Sequence, residues 1–305
     1  MKAIRSVGVS FLSGKIQLAE LEQKRKATVL ALGESESSVN FAEEGETISA
    51  DSPKLRKFAS ELGALLKQHD VEARQIAFTL PPDPMFINIL PIDSSVSKTE
   101  LPEYLQWELN QYLPGVSVKD YILDSHGLPV EETHAQQTFM VAVRRGMVSF
   151  LHKVAVSLKM KLSLVDVDQF STEKTLILNY PEILEFDIVL IGLRENGIDA
   201  SVIHNGEMAD YRAFQYNGEK NSMKPILQYL KYLKQKTNST PAAVLLHGLD
   251  ISKDLVVSLR QETGIKQTLP LNAFRKIKPS KYLPASLVKE SHKFAAAIGL
   301  ALRVK

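Results

Sequence analysis

The chain has 305 residues, 37 Lys and Arg against 35 Asp and Glu, and no Cys. Without Cys it has no disulfide framework, no cysteine nucleophile and no thiolate zinc or iron–sulfur site, which fits a reducing, cytosolic compartment. A formal charge of +2 gives no general drive toward nucleic acid or anionic lipid, no window reaches the ~18 apolar residues of a membrane span, and the length predicts about two domains.

Residues 6–10 and 16–21 read as two strands joined by a tight turn at Ser13-Gly14, with a third strand at 29–32. The acidic, Ser-rich stretch 34–52 reads as loop. Pro53 opens a helix to about His69, with Leu55, Phe58, Leu62, Leu65 and Leu66 on one face. Strands follow at 75–80, stopped by Pro81-Pro82, and at 86–92. Thr99 is the expected cap of a helix to Tyr112, whose buried stripe is Leu101, Leu105, Leu109 and Tyr112. A strand at 138–143, a helix at 147–158, a strand at 162–167 and a helix at 169–179 close the first half.

The second half opens in the same way. A strand at 186–192 turns through Arg194-Glu195-Asn196-Gly197 and returns over 198–204, and Asn205-Gly206 makes another tight turn. A helix at 221–236 points Met223, Leu227, Leu230 and Leu233 inward and its lysines outward. A strand at 242–247, a helix at 254–263 and one final helix from 285 to about 304 complete the chain. The recurring order predicts two similar α/β halves facing each other.

Familiar catalytic signatures are missing. There is no Walker loop, no Gly-x-Ser-x-Gly elbow and no His-Glu-x-x-His pair. The His residues are scattered; His126 and His134 read as solvated loop positions. Asp166 and Asp168 stand two apart near a strand end, where a helix-capping Asp168 is preferred over a metal or general-base role. Lys276, Lys278 and Lys281 around Pro279 form a basic loop that could meet an acidic partner.

The segment Val-Gly-Val-Ser-Phe-Leu-Ser-Gly-Lys-Ile-Gln-Leu-Ala-Glu-Leu at 7–21 resembles the opening hairpin of the PilM family, V-G-I/L-D-I/L-G-S-S-S-I/V-K-x-x-E-L. These are cytoplasmic actin-like proteins of type IV pilus assembly, related to FtsA. The segments 101–114 (LPEYLQWELNQYLP), 121–124, 141–144, 164–170 (LVDVDQF) and 294–303 (FAAAIGLALR) are similar to further family motifs, in family order. The resemblance implies an α/β fold of the duplicated actin/hexokinase (ribonuclease H-like) type with an FtsA/PilM-type extra subdomain. It places the extra subdomain at 83–163. The first half then covers 1–82, completed by 164–184 and the C-terminal helix 285–305, and the second half covers 185–305. The chain stops at Lys305 without the linker and membrane-binding helix of FtsA-like chains, which favours PilM and predicts no direct membrane insertion.

Departures from the family pattern fall where phosphates would bind. Ser10 stands in place of the metal-directing Asp, Leu12 in place of Gly and Gln17 in place of Lys, whereas Ser13, Gly14 and Lys15 stay compatible with an anion. In the second hairpin Leu190 replaces the other Asp, Gly192 is kept and Arg194 fills the turn. The adenosine-side loop keeps only Gly248. These departures predict a pseudo-ATPase with no catalytic residue, no metal and no cofactor, Mg-ATP being disfavoured. An active ATPase would need Asp166, Asp168 and Glu195 as substitutes, and a small-molecule kinase would need a catalytic Asp and a sugar pocket that are not found.

The resemblance also implies a partner. PilM-like proteins bind a short cytoplasmic N-terminal peptide of PilN, a bitopic inner-membrane protein, in a groove between the extra subdomain and the first half. A PilN-like partner and other pilus or secretion platform components are expected here, which would hold the chain peripherally at the cytoplasmic face of the inner membrane. Trp107, Tyr112 and Arg144 are the groove candidates. No nucleic-acid partner is expected.

Overall fold

The computed structural model describes residues 3–93, 95–128, 135–216 and 221–305. The first half is built on strands β1 (Ile4–Leu12), β2 (Lys15–Gln23) and β3 (Ala27–Glu36), the short helix α1 (Phe41–Glu44), helix α2 (Leu55–Gln68) and strand β4 (Gln75–Leu80). Next come β5 (Phe86–Asp93), α3 (Leu101–Tyr112), β6 (Tyr121–Gly127), β7 (Ala135–Arg144), α4 (Arg145–Ser157), β8 (Lys161–Val167) and α5 (Asp168–Asn179). The second half holds β9 (Ile188–Leu193), β10 (Gly197–His204), β11 (Glu207–Gln215), α6 (Met223–Thr237), β12 (Ala243–Gly248), α7 (Lys253–Thr263) and β13 (Gln267–Pro270). Strand β14 (Lys278–Pro279) and helices α8 (Ala285–Lys289) and α9 (Ala295–Arg303) end the chain. No helix among the described residues is long and apolar enough to cross a membrane.

These strands form three sheets, ordered β14-β3-β2-β1-β4-β8, β11-β10-β9-β12-β13 and β5-β7-β6. The β1–β2 hairpin closes with Leu12 opposite Lys15, and Ser13 and Gly14 both take positive φ (52° and 68°), which a two-residue turn requires. Phe11, Phe41, Phe58, Phe78 and Phe150 fill the core between this sheet and helices α2 and α4. On its other face α9 lies between β1 and α5. That layer depends on two glycines: a Cβ at Gly8 would overlap the Ala297 carbonyl, and one at Gly299 the Ser171 carbonyl. The second sheet buries Ile226, Tyr229, Leu230 and Leu233 of α6 with Val256 and Leu259 of α7. In the small sheet, Leu105 and Leu109 of α3 cover one face, while Phe139 turns the other way to meet Phe170 and Tyr211 at 4.8 and 5.6 Å between ring centroids.

Both hairpins and most strands lie where the sequence puts them, and the differences have local causes. The stretch 34–52 is not all loop: β3 runs on to Glu36, and Asn40 caps α1 by accepting the Ala42 N–H, which delivers Phe41 to the core. Thr99 does not cap α3: Glu100 takes the cap position without a side-chain cap bond, and the turn before it is closed by reciprocal bonds in which Ser97 N–H donates to Glu100 and Glu100 N–H to Ser97 Oγ. Tyr112 is not buried: it is 49% exposed, resting on the Phe86 ring at the sheet margin. On α6, Ile226 and Tyr229 take the most buried positions and Met223 and Leu227 sit at their edge. The final helix is broken. The Ala273 N–H donates to Ser291 Oγ within a 3-10 turn at Ser291–Phe294, which separates surface α8 from α9, apolar up to Arg303. His126 lies in strand β6, not in a loop; His134 lies outside the described residues. Helix α4 falls within the 83–163 span expected for the inserted subdomain, yet its Phe150, Leu151 and Val154 pack in the first core, and β8 pairs with β4.

Candidate functional site

The β1–β2 turn, the β9–β10 turn and the loop after β12 converge above the N-terminal end of α5. They leave two small cavities. One, of about 30 Å³, is lined by Leu12, Ser13, Gly14, Lys15 and Arg194 among others. The other, of about 20 Å³, is lined by Ser10, Leu12, Gln17, Arg194 and Gly248. Eight of the ten positions expected from sequence are thus gathered at one cleft. Leu190 and Gly192 line neither cavity. The Leu190 side chain is core, its carbonyl accepting from Gln169 Nε2 at 2.9 Å, and Gly192 lies tight against Asp199 and His247.

The space between the two turns is occupied. Arg194 is only 8% exposed; its Nη1 donates to Asp83 and its Nε donates to Asp199 Oδ1 at 3.2 Å. Burial lowers the Arg194 pKa and the two carboxylates raise it, with the net shift upward, so the guanidinium stays charged. Asp199 is pushed up to about 6, first by burial, against the opposing pull of Arg194. Asp168 is not a helix cap. Val167 takes the cap position, and the buried Asp168 carboxyl has an Oδ1 with no partner. Burial and the neighbouring Asp199 hold its pKa well above the ordinary carboxylate value.

A polar chain runs beneath this ion pair. Gln169 Nε2 donates to the Leu190 carbonyl and to Ser201 Oγ, both at 2.9 Å, so its Oε1 accepts from His247 Nε2 at 2.7 Å. The network therefore assigns the proton to Nε2, and burial drives the His247 pKa down to about 3, leaving a neutral imidazole.

None of the three cations that line the cleft cavities is free: Lys293 pairs with Glu290 at 2.9 Å. Lys15 Nζ donates to Glu34 at 2.8 Å, and Arg194 serves Asp83 and Asp199. Of the three carboxylates that might replace the lost metal ligands, Asp168 and Glu195 line the first cleft cavity, Glu195 at the turn tip 3.5 Å from Ser13 Oγ, whereas Asp166 faces another cavity, where Arg303 binds it at 2.7 Å. Among the described residues no group of three or more His, Asp or Glu could hold a metal ion. Asp83, Asp199 and His247 escaped sequence reasoning. Asp199 is found by register, since it stands opposite Gly192 across the β9–β10 hairpin.

A larger concavity lies elsewhere. A groove of about 860 Å³ lies between β6 and β7 of the small sheet, strand β8, and the β10–β11 turn. Its walls are apolar, with Ile122, Val141, Leu164 and Phe170, and its Asp, Glu and Arg lining is mostly acidic: Asp124, Asp166, Glu173 and Glu207 against Arg303. Strands β6 and β8 are both at the edge of their sheets and both face this groove. Glu173 is buried with Oε1 unpartnered, and burial raises its pKa to about 8. The groove candidates Trp107, Tyr112 and Arg144 do not line it. Trp107 is 55% exposed on the outer face of α3, and Arg144 ends β7 with its guanidinium 5.1 Å from the Tyr121 ring centroid.

Two facing α/β halves, a hairpin turn from each meeting over a cleft, and a small inserted sheet define the actin-like ATPase fold. A Bacteroides thetaiotaomicron protein with that fold aligns over 88% of this chain and 91% of its own, with a TM-score of 0.51 and 10% identity. A chain of a PilM–PilN type IV pilus biogenesis complex aligns over 98% of each chain, with a TM-score of 0.79 and 17% identity. The family model for type IV pilus assembly protein PilM matches residues 8–235, and the chain belongs to that family. A search of curated protein sequences found no match.

Proposed function

We propose that this protein is a non-catalytic scaffold of a type IV pilus or related secretion platform, at the cytoplasmic face of the inner membrane. It grips a short extended cytoplasmic segment of a PilN-like bitopic protein and meets other platform components around it. The groove is the observation that carries this reading. Two open strand edges face one apolar channel, and an extended peptide added to such an edge gains main-chain hydrogen bonds while its side chains fill the channel. The protein then reaches the membrane through its partner.

Weak or lost nucleotide binding belongs to the same reading. Ligand sites usually enclose roughly 300–1,000 Å³, whereas the cavities between the hairpins measure about 30 and 20 Å³ and hold a committed ion pair. The active-ATPase alternative needs Asp166, Asp168 and Glu195 at one place; Asp166 is turned away from the cleft and paired with Arg303, which favours the scaffold.

Titration calorimetry with the N-terminal peptide of the PilN-like partner tests the groove. Ile122→Asp is expected to abolish binding, and Trp107→Ala to leave it unchanged. Thermal unfolding with Mg-ATP, Mg-ADP and metal-free ATP tests the cleft. A ligand at ~100 times its Kd adds about 2.7 kcal/mol, a rise of several degrees. No rise is expected, and a magnesium-dependent one overturns the pseudo-ATPase reading.

A further inference from the structure

The formal charge of +2 conceals a segregated surface. Arg25 and Lys26 sit in the β2–β3 turn, and Lys276, Lys278 and Lys281 follow far along the chain. The parallel pairing of β14 with β3 brings the two tracts to one sheet margin: Lys278 is the register partner of Thr28, and the Ser280 N–H donates to the Val29 carbonyl at 2.8 Å. All five side chains are exposed. None lies within ion-pair distance of a carboxylate among the described residues. The acids of neighbouring segments are already matched, Glu22 by Arg5 and Lys24, Glu182 by Arg275 and Glu290 by Lys293.

Beside these cations Tyr282 is 81% exposed, with Lys281 Nζ 5.0 Å from its ring centroid. The ring is held out by its surroundings. Ile277 on one side is buried, and Leu283 on the other packs into the core under β2 and β3.

We propose that this margin is a docking surface for an anionic phospholipid bilayer, with the cations over the headgroups and the Tyr282 ring at the interface. Charge complementarity selects an anionic partner, and the projecting amphipathic ring selects a bilayer, where tyrosine favours the headgroup level. A duplex nucleic acid offers the same phosphates but no apolar layer for the ring. The surface goes beyond the groove reading and is spatially separate from it, since β14 and β8 are the opposite ends of the six-stranded sheet. A partner peptide in the groove and a bilayer at this margin can therefore be tested independently.

The test is co-sedimentation of the full chain with phosphatidylglycerol/phosphatidylethanolamine vesicles, against pure phosphatidylcholine vesicles, with gel shift on a duplex DNA alongside. A lysine or arginine near an anionic surface raises partition by about fivefold. The wild type is expected to sediment with anionic but not neutral vesicles, and to be released as salt rises from about 50 to about 500 mM and the screening length shortens. Reversing four charges (R25E, K26E, K278E, K281E) lowers partition by at least about 100-fold. Tyr282→Ser lowers it at constant charge. Unchanged melting temperatures show that both variants are folded. Absence of binding to anionic vesicles, equal binding to neutral ones, unchanged partition of the four-charge variant, or retention by DNA in place of vesicles overturns the proposal.

Discussion

Replacing Arg194 with Met tests the account of the filled cleft. The substitution keeps most of the side-chain volume and removes the charge. It leaves Asp83 and Asp199 without their shared guanidinium, over an Asp168 that is already buried. Breaking a buried pair by deleting one partner typically costs about 3–5 kcal/mol, because an uncompensated charge remains. At roughly 2–4 °C per kcal/mol the melting temperature falls by about 10 °C. The loss depends on pH, with a definite sign. Asp199 already titrates near 6, above the ordinary aspartate value, and without Arg194 its pKa moves further up. A raised carboxylate favours the folded state at low pH, and that advantage fades as pH climbs through the folded pKa. The variant therefore gains stability relative to wild type as pH falls from 8 toward 5. Adding Asp83→Asn and Asp199→Asn removes the stranded charges and restores most of the loss, since a neutral set is cheaper to bury than a broken ion pair. Calorimetric melts of the wild type, the single and the triple variant at three pH values decide the matter. A single variant within 1 kcal/mol of wild type, or a triple variant no better than the single, would falsify the claim that the pair is buried and mutually compensated.

Other expectations are simpler to measure. Glu173, with a pKa of about 8 from burial, opposes folding increasingly as pH rises from 4.5 toward 8. Glu173→Gln should flatten that part of the stability–pH curve and gain on the order of 4 kcal/mol at pH 8. Gly8→Ala forces a methyl against the Ala297 carbonyl and should destabilise by at least about 1–3 kcal/mol in denaturant melts, whereas Gly14→Ala, with open space around it, meets only its positive φ. Trp107→Ala should leave stability within about 0.5 kcal/mol, because the ring is mostly outside the core.

What the sequence made legible was local or recurrent. The Ser13-Gly14 and Arg194–Gly197 turns lie where residue chemistry puts them, and the family motifs identified the fold through segments spread along the chain. Partnerships across long separations were hidden. Nothing in the sequence pairs Arg194 with Asp83, which lies in the loop after β4. Asp168 has the type and position of a cap, but its carboxyl turns into the cleft because the converging turns there bury it. The groove proposed for the partner was not legible for a different reason. Residues 162–167 read as an ordinary buried strand, and only the sheet order reveals that β8 has an open edge. Family motifs drew attention to Trp107 and Tyr112, whereas the proposed groove is made by strand edges and apolar walls.

Helix α9 also sets an order of events during synthesis. Ser6 Oγ donates to the Ala301 carbonyl at 2.9 Å, and Gln23 Nε2 donates to the same carbonyl at 2.9 Å, so the first hairpin made is completed by residues that leave the ribosome nearly three hundred positions later. Until then the β1–β2 face and the flank of α5 stand bare. Such a closure is slow and leaves a nascent chain open to wrong contacts for most of its translation. The first half is thus closed only once helix α9 has been made.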